Sequence, residues 1–313
     1  MIDVSGLTKY YGARRALHGL TFHVAQGEIV GLVGKNGAGK SSVLNILCAQ
    51  LLPSAGDARV NGFSVTADTF KVRQQIGFLP EIAPIYEDTT VAGFLTYLAR
   101  LRGKPAQAVA QRVTEVMGRT GLSGYGRRRM GTLSRGYRQR VGIAQAIVHD
   151  PPVVLLDEPM AGLDPYQIIQ MRDLIGSLKT SHTVLFSTHI LSEVTRVCDR
   201  VILIDSGRVR AEGAEEALRA SLGRGQRLRL LVRGAQQAVA QAVGGVAGVS
   251  DLRCVAEESG LVRVELNAEP ETREALSRAI AQGGLGLLEL RAEGHGLEEL
   301  FVQLSEPKEA QAS

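Results

Sequence analysis

The chain contains no tryptophan, and Phe and Tyr bring its aromatic content to only 4% of 313 residues. An aromatic-rich core is excluded, so the interior has to be built from Leu, Val, Ile and Ala. Cysteine is scarce too. Cys48, Cys198 and Cys254 lie far apart, with no pairing or metal-ligand spacing. They read as small buried hydrophobes in a reducing compartment. No apolar run approaches the roughly 18 residues that a membrane span needs. The opening MIDVSGLTKY has no apolar stretch, so no secretory leader is expected. Charge excess is small: 36 Lys and Arg against 32 Asp and Glu leave +4. That balance permits a nucleic acid or an anionic membrane surface as partner and demands neither.

What is present is globular. Hydrophobic residues make up 44% and charged residues 22%. The length suits two domains of about 150 residues each. Strands are expected at 21–24 and 28–33, separated by a Gln26-Gly27 turn. The second strand runs into GLVGKNGAGKSS and then into the helical period of SVLNILCAQLL, which is the βα unit of a parallel sheet. From about 88 to 150 the pattern is helical in patches, ended by Pro151-Pro152. VVLLDE, TVLFST and DRVILIDSG then read as buried parallel strands, with QIIQMRDLIGSLK and ILSEVTRVC as helices between them. A Gly- and Arg-rich stretch near 222–226 reads as a linker. Beyond it, RLRLLVRG, SDLRCV, LVRVEL and LGLLELRAE alternate like strands, with AQQAVAQAV and ETREALSRAIAQ as helices. A small, ferredoxin-like α+β domain is expected over 226–304, closing on the amphipathic LEELFVQL. A disordered tail is expected at 305–313.

Gly34-Lys35-Asn36-Gly37-Ala38-Gly39-Lys40-Ser41 matches GxxxxGK[ST] between a strand and a helix. The glycines let the backbone N–H groups point at phosphate oxygens, and the helix adds its positive end. Lys40 suits the β and γ phosphates, and the Ser41 hydroxyl suits Mg2+. The spacing is not GxGxxG, which disfavours a dinucleotide fold. A glycine-rich turn with a surface lysine is the plain alternative.

VVLLDEP sets Asp157 and Glu158 at the carboxyl edge of a buried strand, where ligands sit in open α/β sheets. Asp157 suits a water-mediated hold on Mg2+. Glu158 suits the orientation of an attacking water. An acidic pair at a helix start is the rival explanation. His189, after the strand LFST, is placed to contact a γ-phosphate, though a lone histidine is more often structural. The other five histidines read as structural. Ser134 stands at the N-cap position of a helix, and Gly136 allows close backbone approach, making a second helix start suited to phosphate.

GKNGAGKSS, LPE, LSRGYRQR, VVLLDEPMAGLD and STHI occur in one order. Over residues 2–222 the chain resembles the ATP-binding subunit of an ABC transporter. The resemblance implies an α/β P-loop NTPase core with a helical subdomain, here joined to the α+β domain. It implies that Tyr11 stacks on adenine, with Tyr10 as rival. Residues 34–42, Ser42 included, would form the phosphate loop, and Glu81 stands at the usual Q-loop glutamine, near Mg2+. By the same resemblance Ser134 and Gly136 belong to the signature, Asp157 and Glu158 to the metal-holding and catalytic carboxylates, Asp164 to the D-loop, and His189 is the switch histidine. The implied cofactors are ATP and Mg2+. The family's arrangement has two cassettes, identical or not, that bind ATP head to tail, each nucleotide between Lys40 of one and Ser134 with Gly136 of the other. It also implies separately encoded permease chains that receive the stroke, with this chain at the cytoplasmic face of the cell membrane.

Departures are few. LSRGY replaces LSGGQ, with Arg135 for the first glycine and Tyr137 for the glutamine, while Gly136 is kept. Lys35 and Ser42 replace the more usual proline and threonine, and little is expected of either. Every residue type remains competent for the chemistry. LPE, the LSRGYRQR signature and the C-terminal domain resemble the ABC-2 type exporter ATPases, especially gliding-motility-associated and copper-site-maturation members.

Arg119, Arg127, Arg128, Arg129, Arg135, Arg138 and Arg140 crowd the signature, with a weaker cluster at Arg224, Arg227, Arg229 and Arg233. A basic face toward ATP, lipid headgroups or an acidic permease loop competes with a merely solvated surface. A soluble ABC-type ATPase acting on ribosomes or DNA is the alternative function. It is disfavoured by the single cassette and by the absence of a long coiled coil.

Overall fold

Three short runs, Ile29–Val33, Val153–Asp157 and Thr183–Thr188, are buried at every position. Runs hidden on both faces belong in the middle of a parallel sheet. In the computed structural model they do so. One sheet has the order Arg208–Gly213, Arg200–Asp205, Ile29–Val33, Thr183–Thr188, Val153–Asp157, Ile76–Leu79. Only the edge strand Arg208–Gly213 runs antiparallel to its neighbour. The structure describes residues 1–84, 86–194, 196–221, 226–269 and 272–293. The linker expected at 222–226 falls almost wholly outside these residues, and LEELFVQL and the tail 305–313 fall outside them entirely.

A second, antiparallel sheet has the order Arg14–Val24, Ile2–Tyr11, Ala55–Val60, Phe63–Ser64. Of these strands only the end of Arg14–Val24 is legible in the sequence. The helix Lys40–Leu47 shares one apolar core with both sheets: Val43, Leu44 and Leu47 join Ile2, Leu20 and Phe22 on one side and Leu32, Leu155 and Leu185 on the other. The helix that follows the phosphate loop is therefore anchored in a core shared by both sheets.

The helical insertion, Val91–Leu101, Ala106–Arg119 and Arg135–Ile147, connects two strands that pair in parallel, Ile76–Leu79 and Val153–Asp157. It returns close to the sheet. A Cβ on Gly77 would lie 1.9 Å from the carbonyl oxygen of Ala146, so only glycine lets the Arg135–Ile147 helix settle there.

The chain divides into two compact units, Met1–Ala214 and Glu215–Ser313. The break comes ahead of the Gly- and Arg-rich stretch because the helix Glu215–Ser221 groups with the second unit. Within that unit, Gln226–Arg233, Val249–Glu257, Leu261–Ala268 and Gly286–Glu293 alternate with helices Gln236–Gly244 and Thr272–Gln282 as βαββαβ. The sheet order is second, third, first, fourth, with all neighbours antiparallel, which is the ferredoxin-like arrangement. Leu228, Leu230 and Val232, spaced by two, meet Val239 and Val243 and then Leu276 and Ile280, spaced by four, in its own core. Among the described residues, no helix is long and apolar enough to cross a membrane.

Candidate active site

Strand register assembles the site. Asp157 is level with Ser187, and Val33 with Thr188, across adjacent parallel strands. The phosphate loop, the Asp157-Glu158 pair and Ser187 to His189 thus leave the same carboxyl edge of the sheet. Gly39, at φ 107°, turns the loop into the helix Lys40–Leu47, and a Cβ there would strike Leu17 Cδ2 at 2.6 Å. That helix starts with no side-chain cap and no acidic residue in its first turn. Its free N–H groups and positive end are left for an anion.

Lys40 and Glu158 are buried at this edge, 6% and 7% exposed. Lys40 Nζ donates to the Gly34 carbonyl at 2.7 Å and lies 3.2 Å from Glu158 Oε1. His189 Nδ1 lies 2.9 Å from Glu158 Oε2. The carboxylate is thereby held between an ammonium and an imidazole. Its backbone is strained, with φ at 47°, a region that costs a non-glycine residue on the order of 1–3 kcal/mol. Ser187 holds it there. The Ser187 hydroxyl accepts the Glu158 N–H at 2.9 Å and donates to Asp157 Oδ1 at 2.5 Å. One side chain thus holds the Asp157 carboxylate and the backbone of Glu158.

A cavity of about 480 Å³ opens in front of these groups. Tyr11, Asn36, Gly37, Gly39, Lys40, Ser41, Ser42, Glu81, Glu158 and His189 line it, and Tyr10 does not. Tyr11 Oη lies 3.1 Å from Ser42 Oγ. Gly34, Lys35, Ala38 and Asp157 are not among its lining residues. Ser134, Gly136 and Asp164 do not line it either. Ser134 takes the N-cap position of the Arg135–Ile147 helix, but its side chain makes no capping bond. Gly136 is packed so tightly under Gln167 that a Cβ would sit 2.8 Å from Oε1. Asp164 caps the Pro165–Leu178 helix, accepting the Gln167 N–H at 2.8 Å. These residues form a second cluster, and Arg135 joins it, its guanidinium lying against Gly162.

The sequence reading missed Ser187, Thr188, Glu193 and Arg14. Ser187 and Thr188 left a faint signal, as polar residues ending an apolar strand. Arg14 left none, yet it lines the cavity beside Gly37. The arginine run divides by role. Arg138 donates to the carbonyls of Leu133 and Gly131, and Arg140 donates to Thr120 O and Gln170 Oε1. Arg128 lies over the ring of Tyr125, which stacks on Tyr137 at 4.0 Å.

The ABC transporter family model matches residues 17–161. The daunorubicin resistance ATP-binding protein DrrA3 of Streptomyces coeruleorubidus is 33% identical over 306 residues, covering 97% of this chain and 95% of the relative. The chain belongs to the ATP-binding subunits of ABC transporters. The cassette is also 29% identical to the linearmycin resistance ATP-binding protein LnrL of Bacillus subtilis over 309 residues, covering 97% of this chain and 98% of that one. Among solved structures, the dimeric bacterial ABC transporter cassette MJ0796 is similar, with a TM-score of 0.63 at 25% identity over 68% of this chain and 98% of that one. This cassette binds ATP and is an ATPase.

Proposed function

We propose that this ABC ATPase drives an ABC-2 type exporter from the cytoplasmic face of a membrane, together with separately encoded permease chains. The reading is carried by one observation. A hydrolysis site with Glu158 between Lys40 and His189 stands on a chain with no described helix able to cross a bilayer. In this reading the work of hydrolysis is delivered to another chain. The names of DrrA3 and LnrL, both resistance proteins, support export as that work.

In this reading Tyr11 stacks on adenine, and the N–H groups of residues 34–42 cradle the phosphates. Lys40 exchanges Glu158 for the β and γ phosphates. Glu158 orients a water and takes its proton as oxygen bonds to the γ-phosphorus and the bond to the β-γ bridging oxygen breaks, giving ADP and phosphate. His189 steadies the γ-phosphate. Ser41, Asp157 and Glu81 supply the hard oxygen donors that Mg2+ prefers. When bound, Mg2+ neutralises charge developing on the phosphates.

Ser134, Gly136 and Asp164, absent from the cavity lining, act on the nucleotide of a second cassette, identical or not. The dimeric relative supports this arrangement. Permease docking suits exposed apolar side chains, which include Phe70, Ile82, Tyr86, Tyr97 and Leu101. Phe70 and Leu101 line a cavity of about 780 Å³.

The test is affinity purification of the Glu158→Gln protein with ATP from detergent-solubilised membranes of its source. A co-purifying multi-span membrane protein is expected. Ribosomal or DNA-bound partners, or a dimer alone, would overturn the exporter reading.

A further inference from the structure

Glu193 is the least exposed acidic residue among those described, at 3%, and none of the chemistry above uses it. It lies on the short helix Leu191–Val194, which starts two residues after His189. A buried carboxyl is costly unless it is tied to a partner. Its partner is Thr188. The Thr188 hydroxyl donates to Glu193 Oε2 at 2.5 Å and accepts the Ile190 N–H at 3.0 Å. Thr188 is fully buried, and its carbonyl accepts the N–H of Gly34, the first residue of the phosphate loop, at 3.2 Å.

His189 sits inside that ring of bonds, between Thr188 and Ile190. Its side chain is partly exposed and reaches out to Glu158. A turn closed by a side-chain hydroxyl is a local device that competes with other backbone arrangements. It has one geometry only while the hydroxyl is oriented, and the orienting group is Glu193. Burial, and then the charge of Glu158, raise the pKa of that carboxyl, while the Thr188 hydrogen bond and the charges of His189 and Arg172 act against the rise.

We infer that Glu193 is a positioning residue that, through the Thr188 hydroxyl, fixes the turn at 188–190 and thereby fixes where His189 meets Glu158. The inference rests on the reading that His189 and Glu158 act on ATP. Among the described residues, Thr188 is the side chain hydrogen-bonded to the Glu193 carboxylate, so the two residues are tested as one unit.

The test uses the full chain with MgATP and compares Glu193→Ala, Glu193→Gln, Thr188→Val, Thr188→Ser, His189→Ala and the Glu193→Ala/His189→Ala double variant. Steady-state kcat and KM are read beside equilibrium ATP binding. Glu193→Ala and Thr188→Val are expected to lower kcat about 10-fold or more with ATP affinity held within about 2-fold, since small misplacements of a reacting group act on turnover. Glu193→Gln and Thr188→Ser, which keep the hydrogen bond, recover most of that loss. The double variant turns over no more slowly than His189→Ala, because the two losses share one cause.

Unchanged kcat in Glu193→Ala, parallel loss of binding and turnover, or multiplying losses in the double variant would each overturn the inference. If Glu193→Ala does not fold, Thr188→Val with its Ser counterpart decides the matter alone. A His189→Ala protein with full kcat would overturn the underlying reading as well. An impaired His189→Ala beside an intact Glu193→Ala would overturn this inference only.

Discussion

Lys40 Nζ and Glu158 Oε1 stand 3.2 Å apart, with both side chains almost wholly shielded from water. An ammonium and a carboxylate so placed satisfy each other, and an incoming phosphate competes with the carboxylate for the ammonium. Glu158→Gln removes the competing charge and the proton acceptor together. Turnover is expected to fall by roughly 100-fold or more, the usual range for a lost general base. ATP affinity stays equal or tightens. Single-turnover hydrolysis with equilibrium nucleotide binding checks both, and weaker binding would contradict the competition.

Lys40→Ala leaves the opposite problem. The buried Glu158 carboxylate then lacks its cation, and the nucleotide loses a charge-assisted contact worth about 1.5–3 kcal/mol. The dissociation constant for ATP should rise roughly 10- to 150-fold by that figure. The nucleotide-free protein should also unfold at a lower temperature. Titration and thermal unfolding of the same preparation test the two effects, and unchanged affinity would contradict the assignment of Lys40 to phosphate.

The site was legible where its chemistry needs consecutive residues. A phosphate cradle requires neighbouring N–H groups, so residues 34–42 declare themselves, as do Asp157 and Glu158 at the end of an all-apolar strand. Links made across strand register were not legible. Ser187 stands 30 residues from the Asp157 it binds, and only the parallel pairing makes them neighbours. Arg14 reaches the loop from another sheet. The fold divides the same way. Leu228, Leu230 and Val232 keep an unbroken period of two, and their strand was readable. Ile2–Tyr11 loses that period at irregularities between Val4 and Leu7 and again after Leu7, and it was not readable as one strand. Ser134, Gly136 and Asp164 are legible as family motifs, yet one chain does not bring them to its own cavity.

Ser187 offers a test of the strained carboxylate. Its hydroxyl is fully buried and supports both Asp157 and the Glu158 N–H. Ser187→Ala leaves that N–H without its partner, at a cost of about 1–3 kcal/mol in stability. The strained backbone at Glu158 then has less to hold it, so kcat should fall more than ATP affinity does. Denaturant unfolding gives the first quantity, and kinetics beside nucleotide titration give the second. A variant with parental stability and turnover would show that Ser187 supports neither Asp157 nor the Glu158 backbone.

His149 is expected to make the fold sensitive to acid. Its Nε2 lies 3.1 Å from the Ile76 carbonyl, and its Nδ1 is buried without a partner. Burial first, and then the cationic neighbours Arg102, Lys104 and Arg112, push its pKa down to about 4, against the opposing pull of the Ile76 carbonyl. The folded chain therefore keeps this imidazole neutral at a pH where the unfolded chain, with an ordinary histidine near 6.5, has already taken up a proton. This contribution is fully present above pH 6.5 and is lost as the pH falls toward 4, by up to about 3 kcal/mol at the lower limit. His182, whose pKa burial also lowers, acts in the same direction. Urea unfolding at several pH values between 7.5 and 4 should show stability declining across this window. In His149→Gln the decline should be shallower, because the side chain no longer titrates. An equally steep decline in the variant would place the acid sensitivity elsewhere in the fold.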